Sequence, residues 1–271
     1  MLEQSAYGSW PMQYADIEGN VRREAQPGLV GKCRDCGRPM VAKCGQYRVW
    51  HWAHWKSKDC DPWWEPETEW HRSWKNQFPV AWQEIGHTAQ SGERHRADVK
   101  TERGLVLEFQ YSALKEAERV SREEFYTRLI WVVHDDRRLR DRKKFFASLS
   151  GPLRVASGLP TYTIHRDDSA LLRDWGKCRA PVYFDFGETE GDSPLWRLYP
   201  LSGGMLAYLT PVVRAEFVKA HRDGVNFDGV NFEEMFDQVF ARDRKIHAAR
   251  TTGGVPFPGF PRYPTRRMRR L

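Results

Sequence analysis

The chain lacks the long hydrophobic run that a membrane-spanning helix needs. Its 271 residues contain no stretch of about 18 consecutive apolar residues. The opening segment, MLEQSAYGSW, has neither the basic region nor the apolar region of a secretory signal. Hydrophobic residues make up 40% and charged residues 29% of the chain, which excludes a fully disordered protein and a collagen-like fibre. We therefore expect a folded cytoplasmic protein with no membrane partner.

Two groups of catalytic motifs are also missing. The glycine-containing segments GETEGD and LSGGM do not fit a phosphate-binding loop of the Walker type, so a nucleotide-driven motor is not expected. The order of serine, histidine and aspartate residues does not indicate acyl transfer.

Cysteine is scarce, and it is concentrated near the amino terminus. Five cysteines are too few for a disulfide scaffold, and four of them lie within 28 residues. Cys33 and Cys36 form a C-x-x-C motif, followed by an H-x-x-H motif at His51 and His54. Two thiolates and two imidazoles suit a tetrahedral structural Zn²⁺ site. Cys44 and Cys60 are reserve ligands, Cys60 especially in place of one histidine. The alternative is a set of reduced, buried thiols without metal.

The positive charge of the chain is concentrated at its carboxyl end. The formal net charge is +7, and the last ten residues contribute five arginines and no acid, which leaves +2 for the rest. Four prolines surround this end. Residues 256–271 therefore read either as a disordered, solvated tail or as an arm that binds phosphates.

Hydrophobic patterning divides the remainder into three parts. Residues 1–61 suggest a small β-rich module of the kind that needs a metal or a neighbour for stability. The pattern of residues 62–166 predicts a mixed α/β core in the order α-β-β-β-α-β. We expect a helix near 66–78, strands at 80–86, 94–100, 105–110 and 129–134, and a further strand at 161–166. For residues 167–255 we expect a mostly helical accessory region, with helices at 212–221 and 231–246. PVYFDFG and the run from Trp196 to Tyr208 are candidate strands within it.

Acidic residues inside this core are the strongest functional signal. Asp98 and Glu108 lie on consecutive predicted strands, and a hairpin with Gly104 in its turn would place them side by side on one face. An acid within the apolar run LVLEF is costly unless it meets a cation. Paired carboxylates of this kind suit Mg²⁺ or Mn²⁺. The alternative is a structural ion pair between Glu108 and Arg96.

The predicted helix adds a polar row to these acids. Glu67, His71 and Lys75 are spaced i, i+4 and i+8 beside a stripe of Trp70, Trp74 and Phe78. Such a row could bring another carboxylate, a histidine and a cation to the edge of the sheet.

The segments ETEWHRSWK, RHRADV, LVLEFQYS and SREEFYTRLIWVV, taken in order, resemble the competence protein CoiA-like family of PD-(D/E)XK nucleases. The upstream run CRDCGRPM…YRVWHWAH resembles the zinc-finger-like module of the same family. The resemblance covers about residues 10–135, roughly half of the chain.

This resemblance implies a metal-dependent phosphodiesterase. The positions that it assigns to catalysis are Glu67, His71, Asp98, Glu108 and Gln110. It further implies that Asp98 and Glu108 hold Mg²⁺ and that Arg122 and Tyr126 face the site. Gln110 stands where the name of the superfamily has lysine, so it can orient water but supplies no charge. We expect Lys75 or Arg96 to compensate, and Lys75, Arg96 and Arg122 to bind phosphates.

Together these features predict a nuclease that hydrolyses DNA. One alternative is a nucleic-acid-binding protein that has kept the nuclease fold without cleavage, which Gln110 favours. Another is a nuclease directed at RNA. Cleavage of both strands of a duplex needs two active sites or two successive nicks, and a homodimer is one way to supply the two sites.

Overall fold

The computed structural model of the chain describes residues 11–55, 61, 63, 65–89, 91–135, 139–153, 160–187, 193–199 and 205–223. Within these ranges the protein is mixed α/β, with two sheets and five helices. None of those helices is long and apolar enough to cross a membrane. The predicted helix at 231–246, the tail at 256–271 and Cys60 lie outside the described residues.

The amino-terminal segment forms a five-stranded antiparallel sheet. Its strands are β1 (Tyr14–Ile17), β2 (Val21–Glu24), β3 (Val30–Lys32), β4 (Pro39–Lys43) and β5 (His51–His54), in the spatial order β2-β1-β3-β4-β5. Trp52 and Met40 are fully buried at its centre, together with Cys33. This core is small, as expected for a short segment of strands.

The second sheet begins with the predicted order α-β-β-β-α-β, which is confirmed. The elements are α1 (Glu69–Lys75), β6 (Gln83–Thr88), β7 (Arg94–Lys100), β8 (Val106–Gln110), α2 (Glu116–Phe125) and β9 (Leu129–His134). β6, β7 and β8 are antiparallel, and β9 lies parallel to β8 after the crossover through α2. The residues of β8 are buried throughout, which is typical of a strand covered on both faces.

The chain after β9 extends the same sheet. The further elements are α3 (Leu139–Ser148), β10 (Ser150–Leu153), β11 (Thr161–His165), α4 (Ala170–Trp175), β12 (Val182–Asp185), β13 (Leu195–Leu198), β14 (Leu206–Val212) and α5 (Arg214–Asp223). They complete a nine-stranded sheet in the order β10-β11-β14-β13-β12-β9-β8-β7-β6.

This arrangement corrects the expectation of a mostly helical accessory region after residue 166. Between 167 and 223 the described residues form three strands and two α-helices. β12 is entirely buried and pairs in parallel with β9 at the centre of the sheet. Short apolar runs such as that of β12 are ambiguous in sequence, and here a free edge of β9 decides in favour of a strand.

The nine-stranded sheet separates two apolar clusters. Trp131 and Phe184 face one cluster, which includes Phe145 of α3 and Leu171 of α4. The alternate residues of the same strands face the other cluster, in which Trp74 of α1 and Phe217 of α5 are buried. The core is therefore a three-layer α/β/α arrangement, and α1 packs against the face to which Leu107 and Phe109 point.

Candidate functional site

The register of β7 and β8 brings two acids together. Val99 pairs with Leu107 and Lys100 with Val106. Just beyond these pairs, Asp98 and Glu108 lie close enough for the charge of Asp98 to act on Glu108. The backbone N–H of Phe109 donates to Asp98 Oδ2 over 2.9 Å. The predicted juxtaposition of the two carboxylates is therefore found in the structure.

A cavity of about 70 Å³ lies beside this pair. Six of its lining residues are acidic: Asp61, Glu65, Glu67, Glu84, Asp98 and Glu108. The basic residues of the lining are Arg96, Arg122 and, when protonated, His71. Trp63 and Phe109 complete most of the remaining wall. We refer to this space as the acidic cavity.

Helix α1 supplies one side of the acidic cavity, but it begins later than predicted. Thr68 is the N-cap: its hydroxyl accepts from the N–H of His71, and its own N–H donates to His71 Nδ1. This capping box starts the helix at Glu69 rather than at Pro66. Glu67 therefore precedes the helix, although it still lies beside Lys75, and the helix ends at Lys75 rather than at Phe78.

Lys75 is buried between two carboxylates of the cavity wall. Its Nζ donates to Glu67 Oε2 over 2.9 Å and to Glu84 Oε1 over 3.0 Å. The lysine side chain is 1% exposed. This geometry corrects the expected phosphate contact, because the ammonium group is enclosed and holds the acids of the site instead.

Glu84 is a site residue that the sequence reasoning missed. Its carboxylate accepts from the backbone N–H groups of Gln13 (2.7 Å) and Tyr14 (3.0 Å), so it joins β6 to the first sheet. Its φ of 48° is left-handed, which is unusual for a non-glycine residue. The signal was present, since an acid inside the strand-like run VAWQEIG is as costly as Glu108 inside LVLEF.

Glu65 is a second missed residue, and its carboxylate contacts the side chains of both His71 and Gln110. Its carboxylate accepts from the backbone N–H groups of Tyr111 (3.0 Å) and Ser112, and from Gln110 Nε2 at 3.0 Å. His71 Nε2 lies 3.3 Å from the same carboxylate. Gln110 is not among the residues that line the acidic cavity, so its role in positioning water stays a prediction.

Arg122 reaches the acidic cavity from α2. Its guanidinium donates to Glu108 Oε2 over 3.0 Å and to Glu118 Oε1 over 2.6 Å. It also lies over the ring of Trp63 at 5.6 Å from the ring centroid. Tyr126 follows at the end of α2, where its buried hydroxyl has no hydrogen-bond partner among the described residues. Arg122 therefore faces the site as expected, and it neutralises Glu108.

Arg96 is held by the amino-terminal segment. Its Nε donates to Asp35 Oδ2 over 2.7 Å, and its Nη2 lies 3.6 Å from Cys33 Sγ. Asp35 is seated against Gly86 of β6, where an added Cβ would lie 2.3 Å from the aspartate oxygen. Arg96 lines the acidic cavity, but its ion pair is with Asp35 rather than with Glu108, the partner in the structural alternative.

Asp61 and Trp63 were also missed, although both lie between Trp50 and Trp82, a stretch that contains eight of the twelve tryptophans of the chain. Asp61 accepts from the backbone N–H of Arg96 over 2.8 Å and lies 2.9 Å from His95 Nδ1. The Trp63 ring stacks on the ring of His95. These contacts fix the chain that precedes α1 against β7.

Burial sets the charge state of the central acids. It raises the pKa of Asp98, against the opposing effect of Lys75 and His71. Burial, followed by the negative charge of Asp98, raises the pKa of Glu108 well above its ordinary value. Burial would also raise the pKa of Glu65, but hydrogen bonds from His71 and Ser112 outweigh it, and that pKa is lowered. For Asp98 and Glu108, burial therefore outweighs the nearby positive charges.

The acidic cavity has unsatisfied oxygen donors. Glu67 Oε1 and Glu108 Oε1 are buried and have no hydrogen-bond partner within the described part of the chain. Such oxygens are what a bound cation would satisfy. No three acid, cysteine or histidine ligand atoms here lie within 4.8 Å of one another, since the described residues contain one such group and it lies elsewhere. The donor set therefore fits a cation held by one or two carboxylates.

That one group consists of Cys33, Cys36 and His54. Cys36 Sγ lies 3.2 Å from His54 Nε2, and the cluster could hold a metal ion. His51 was wrongly assigned to it. Residues three apart on a strand point to opposite faces, and His51 Nδ1 lies 2.8 Å from the carbonyl of Val49 instead. Cys44 is also absent from the cluster, whereas Cys60 lies outside the described residues.

No family model, curated protein or solved structure matches this chain. The assignment of a function therefore depends on the geometry of the acidic cavity and of the cysteine–histidine cluster.

Proposed function

We propose that the protein is a metal-dependent nuclease whose active site is the acidic cavity. The observation that supports this most directly is the pair of half-buried Asp98 and buried Glu108, which line one cavity and leave a carboxylate oxygen of Glu108 unsatisfied. Buried acids of this kind are costly without a cation, and Mg²⁺ commonly binds through one or two carboxylates together with water and substrate phosphate. This agrees with the resemblance to CoiA-like PD-(D/E)XK nucleases.

Each residue has a distinct part in this proposal. Asp98 and Glu108 would hold Mg²⁺ or Mn²⁺, with Glu67 nearby. The ion, when bound, activates a water molecule and neutralises charge on the phosphate that is cleaved. Lys75 holds Glu67 in place, and Glu65 orients His71. Arg122 holds Glu108 from α2, and its contact with a phosphate stays a prediction from the resemblance.

The same reasoning extends to the cysteine–histidine cluster, for which we propose Zn²⁺. Two sulfurs and one imidazole nitrogen form the donor set that zinc prefers, and a fourth donor would complete a tetrahedron. Cys60 remains a candidate for that donor. Such a site would be structural and would take no part in hydrolysis.

A nuclease assay with Glu108→Gln tests the active site. We expect the full chain to cleave DNA with Mg²⁺ or Mn²⁺, and the variant to lose at least about 100-fold in rate, as when one electrostatic contact to a transition state is removed. Linear and circular substrates, single- and double-stranded, would separate exonuclease from endonuclease activity. An RNA substrate would test the alternative target.

Glu118→Gln is the matched control, because Glu118 is the other carboxylate that Arg122 contacts, and it is more exposed. It should retain cleavage. Equal activity in the wild type and Glu108→Gln would contradict the proposed site. The alternative, a binding protein without cleavage, is favoured by the ion pair between Arg122 and Glu108, and binding without any cleavage would support it.

A further inference from the structure

The loop between β4 and β5 exposes aromatic rings to an unusual degree. Four large aromatic residues are exposed in the described part of the chain, and two of them lie in this loop: Tyr47 is 98% exposed and Trp50 44%. A third, Trp55, follows β5, and its backbone N–H donates to the carbonyl of Pro39 at the other end of β4. Exposing such rings is costly, because a large apolar surface of each ring stays in contact with water. Clustered exposed rings of this kind indicate a surface that contacts a ligand.

Three cations lie close to this loop. Lys43 at the end of β4 and Arg48 in the loop are exposed, and Arg72 of α1 lies beside them. Burial lowers the pKa of His51, and the charges of Arg48, Arg72 and Lys43 lower it further, so these three cations act on one place. They supply positive charge beside the rings that can meet the phosphates of an anionic chain.

The loop and α1 enclose an open groove of about 790 Å³. Residues 44–50 form one wall, and Glu69 and Arg72 of α1 contribute to the other. Glu24 also lines the groove, and its carboxylate accepts from Gln13 Nε2 over 2.8 Å. Because Glu24 and Glu69 balance Arg48 and Arg72, the groove itself has little net charge, and its distinctive feature is the pair of rings at its rim.

Arg72 connects this groove to the acidic cavity. Its Nη2 donates to the backbone carbonyl of Trp50, while its Nε lies 3.7 Å from Glu67 Oε1. Glu67 lines the acidic cavity, so a single side chain separates the aromatic loop from the proposed active site. A polymer that enters the acidic cavity has this loop as its neighbour.

We propose that the β4–β5 loop binds single-stranded DNA, with Tyr47 and Trp50 stacking on unpaired bases and Arg48 contacting a phosphate. Exposed rings discriminate against duplex, whose bases are already stacked on one another. Stacking on aromatic side chains also tolerates any base sequence. This inference rests on the proposed nuclease function for its choice of a nucleic acid, and it adds the strandedness of the substrate and the surface that selects it.

Fluorescence anisotropy with labelled oligonucleotides tests the inference without any need for cleavage. The wild type and a Tyr47→Ala/Trp50→Ala variant are titrated, with no divalent cation added, against single-stranded DNA, a duplex and an abasic strand of the same length. We expect the variant to lose about 5-fold or more in affinity for the single strand. Its affinity for the duplex and for the abasic strand should change less than 2-fold.

Phe146→Ala is the matched control, since Phe146 is an exposed aromatic residue of α3, outside this loop. It should bind single-stranded DNA as the wild type does. Circular dichroism confirms that each variant is folded. In addition, Arg48→Ala should reduce the slope of log affinity against log salt by about 0.7, the value for one phosphate contact on a single strand.

Several outcomes overturn the inference. Unchanged single-strand affinity in the double variant would do so, as would an equal loss on the abasic strand, because the rings would then not stack on bases. If the wild type binds an RNA strand of the same sequence more tightly than the DNA strand, the ligand of the loop is RNA and not DNA. If ring-dependent binding is found but no cleavage, the nuclease proposal fails and this one stands.

Discussion

Asp185 is a single residue at which several elements meet. Its carboxylate accepts from the indole N–H groups of Trp70 (2.8 Å) and Trp74 (2.9 Å), and from both terminal nitrogens of Arg214. It thereby ties the end of β12 to α1 and α5. No sequence motif indicated this role, because its partners are 29 to 115 residues away along the chain.

Replacing Asp185 should therefore destabilise the whole fold. We expect Asp185→Ala to lower the free energy of unfolding by about 3 kcal/mol, since removal of one partner of a buried ion pair leaves the other charge unpaired. Urea denaturation at pH 7 measures the change. Asp223→Ala is the control: Asp223 is exposed and pairs with its neighbour Arg222, so the denaturation midpoint should stay at the wild-type value.

The effect of Asp185→Ala should also depend on pH. Burial opposes ionisation, but Arg214 and the Trp70 indole outweigh it, and the pKa of Asp185 is lowered. A carboxylate with a lowered pKa stabilises the fold above its unfolded pKa of about 3.9 and loses that contribution as pH falls towards its folded pKa. The difference between wild type and variant should therefore shrink below pH 4. A constant difference from pH 7 to pH 3 would contradict this.

Among the elements, β6 makes a close contact with the amino-terminal segment at Gly86. Asp35 fits against Gly86 so closely that an added methyl group would meet its carboxylate. We expect Gly86→Ala to lower the free energy of unfolding by about 1–3 kcal/mol, the usual cost of overpacking. Gly45→Ala is the control, because a Cβ there meets nothing within 4 Å and its φ is not left-handed.

A double-mutant cycle assigns this cost to the contact with Asp35. In an Asp35→Ala background the carboxylate is gone, and Gly86→Ala should then cost much less than in the wild type. Thermal denaturation of the four proteins gives the coupling. Equal costs in both backgrounds would mean that the strain of Gly86→Ala arises elsewhere.

Much of the element order could be predicted from sequence, and its failures have physical causes. β7 and β9 were placed at their observed bounds, because long alternating or apolar runs leave little ambiguity. The start of α1 was missed because Thr68, not Pro66, satisfies its first N–H groups. The candidate strands in PVYFDFG and between Trp196 and Tyr208 overlap β12 to β14, but their place in the sheet depends on partner strands far along the chain.

The site shows the same division. Asp98 and Glu108 were found because the cost of a buried acid is visible in sequence, and hairpin register is a local property. Glu65 and Glu84 were missed because their partners come from distant segments. His51 was misassigned because the H-x-x-H spacing lets two histidines share a metal only on a helix or a loop. On strand β5 the same spacing turns His51 and His54 to opposite faces.

For the whole molecule, the metal content is the most informative quantity. We expect the purified protein to contain about one zinc ion per chain, as for a structural site with cysteine and histidine ligands. Cys36→Ser should lower the zinc content sharply, because Cys36 is one of the clustered ligands. His51→Ala is the control and should retain zinc. Elemental analysis of protein prepared without chelator measures both, and equal zinc loss in the two variants would contradict the assignment.

The amino-terminal sheet also covers an edge. β6 is the last strand of the nine-stranded sheet, and Arg22 donates to the carbonyls of Val80 and Gln83 while Gln13 and Tyr14 engage Glu84. An uncovered strand edge is a template for pairing with another chain. Loss of the cluster that contains Cys33 and Cys36 would destabilise the amino-terminal sheet and so uncover β6. We therefore expect such a protein to aggregate, as filaments or amorphous deposits, through pairing at β6.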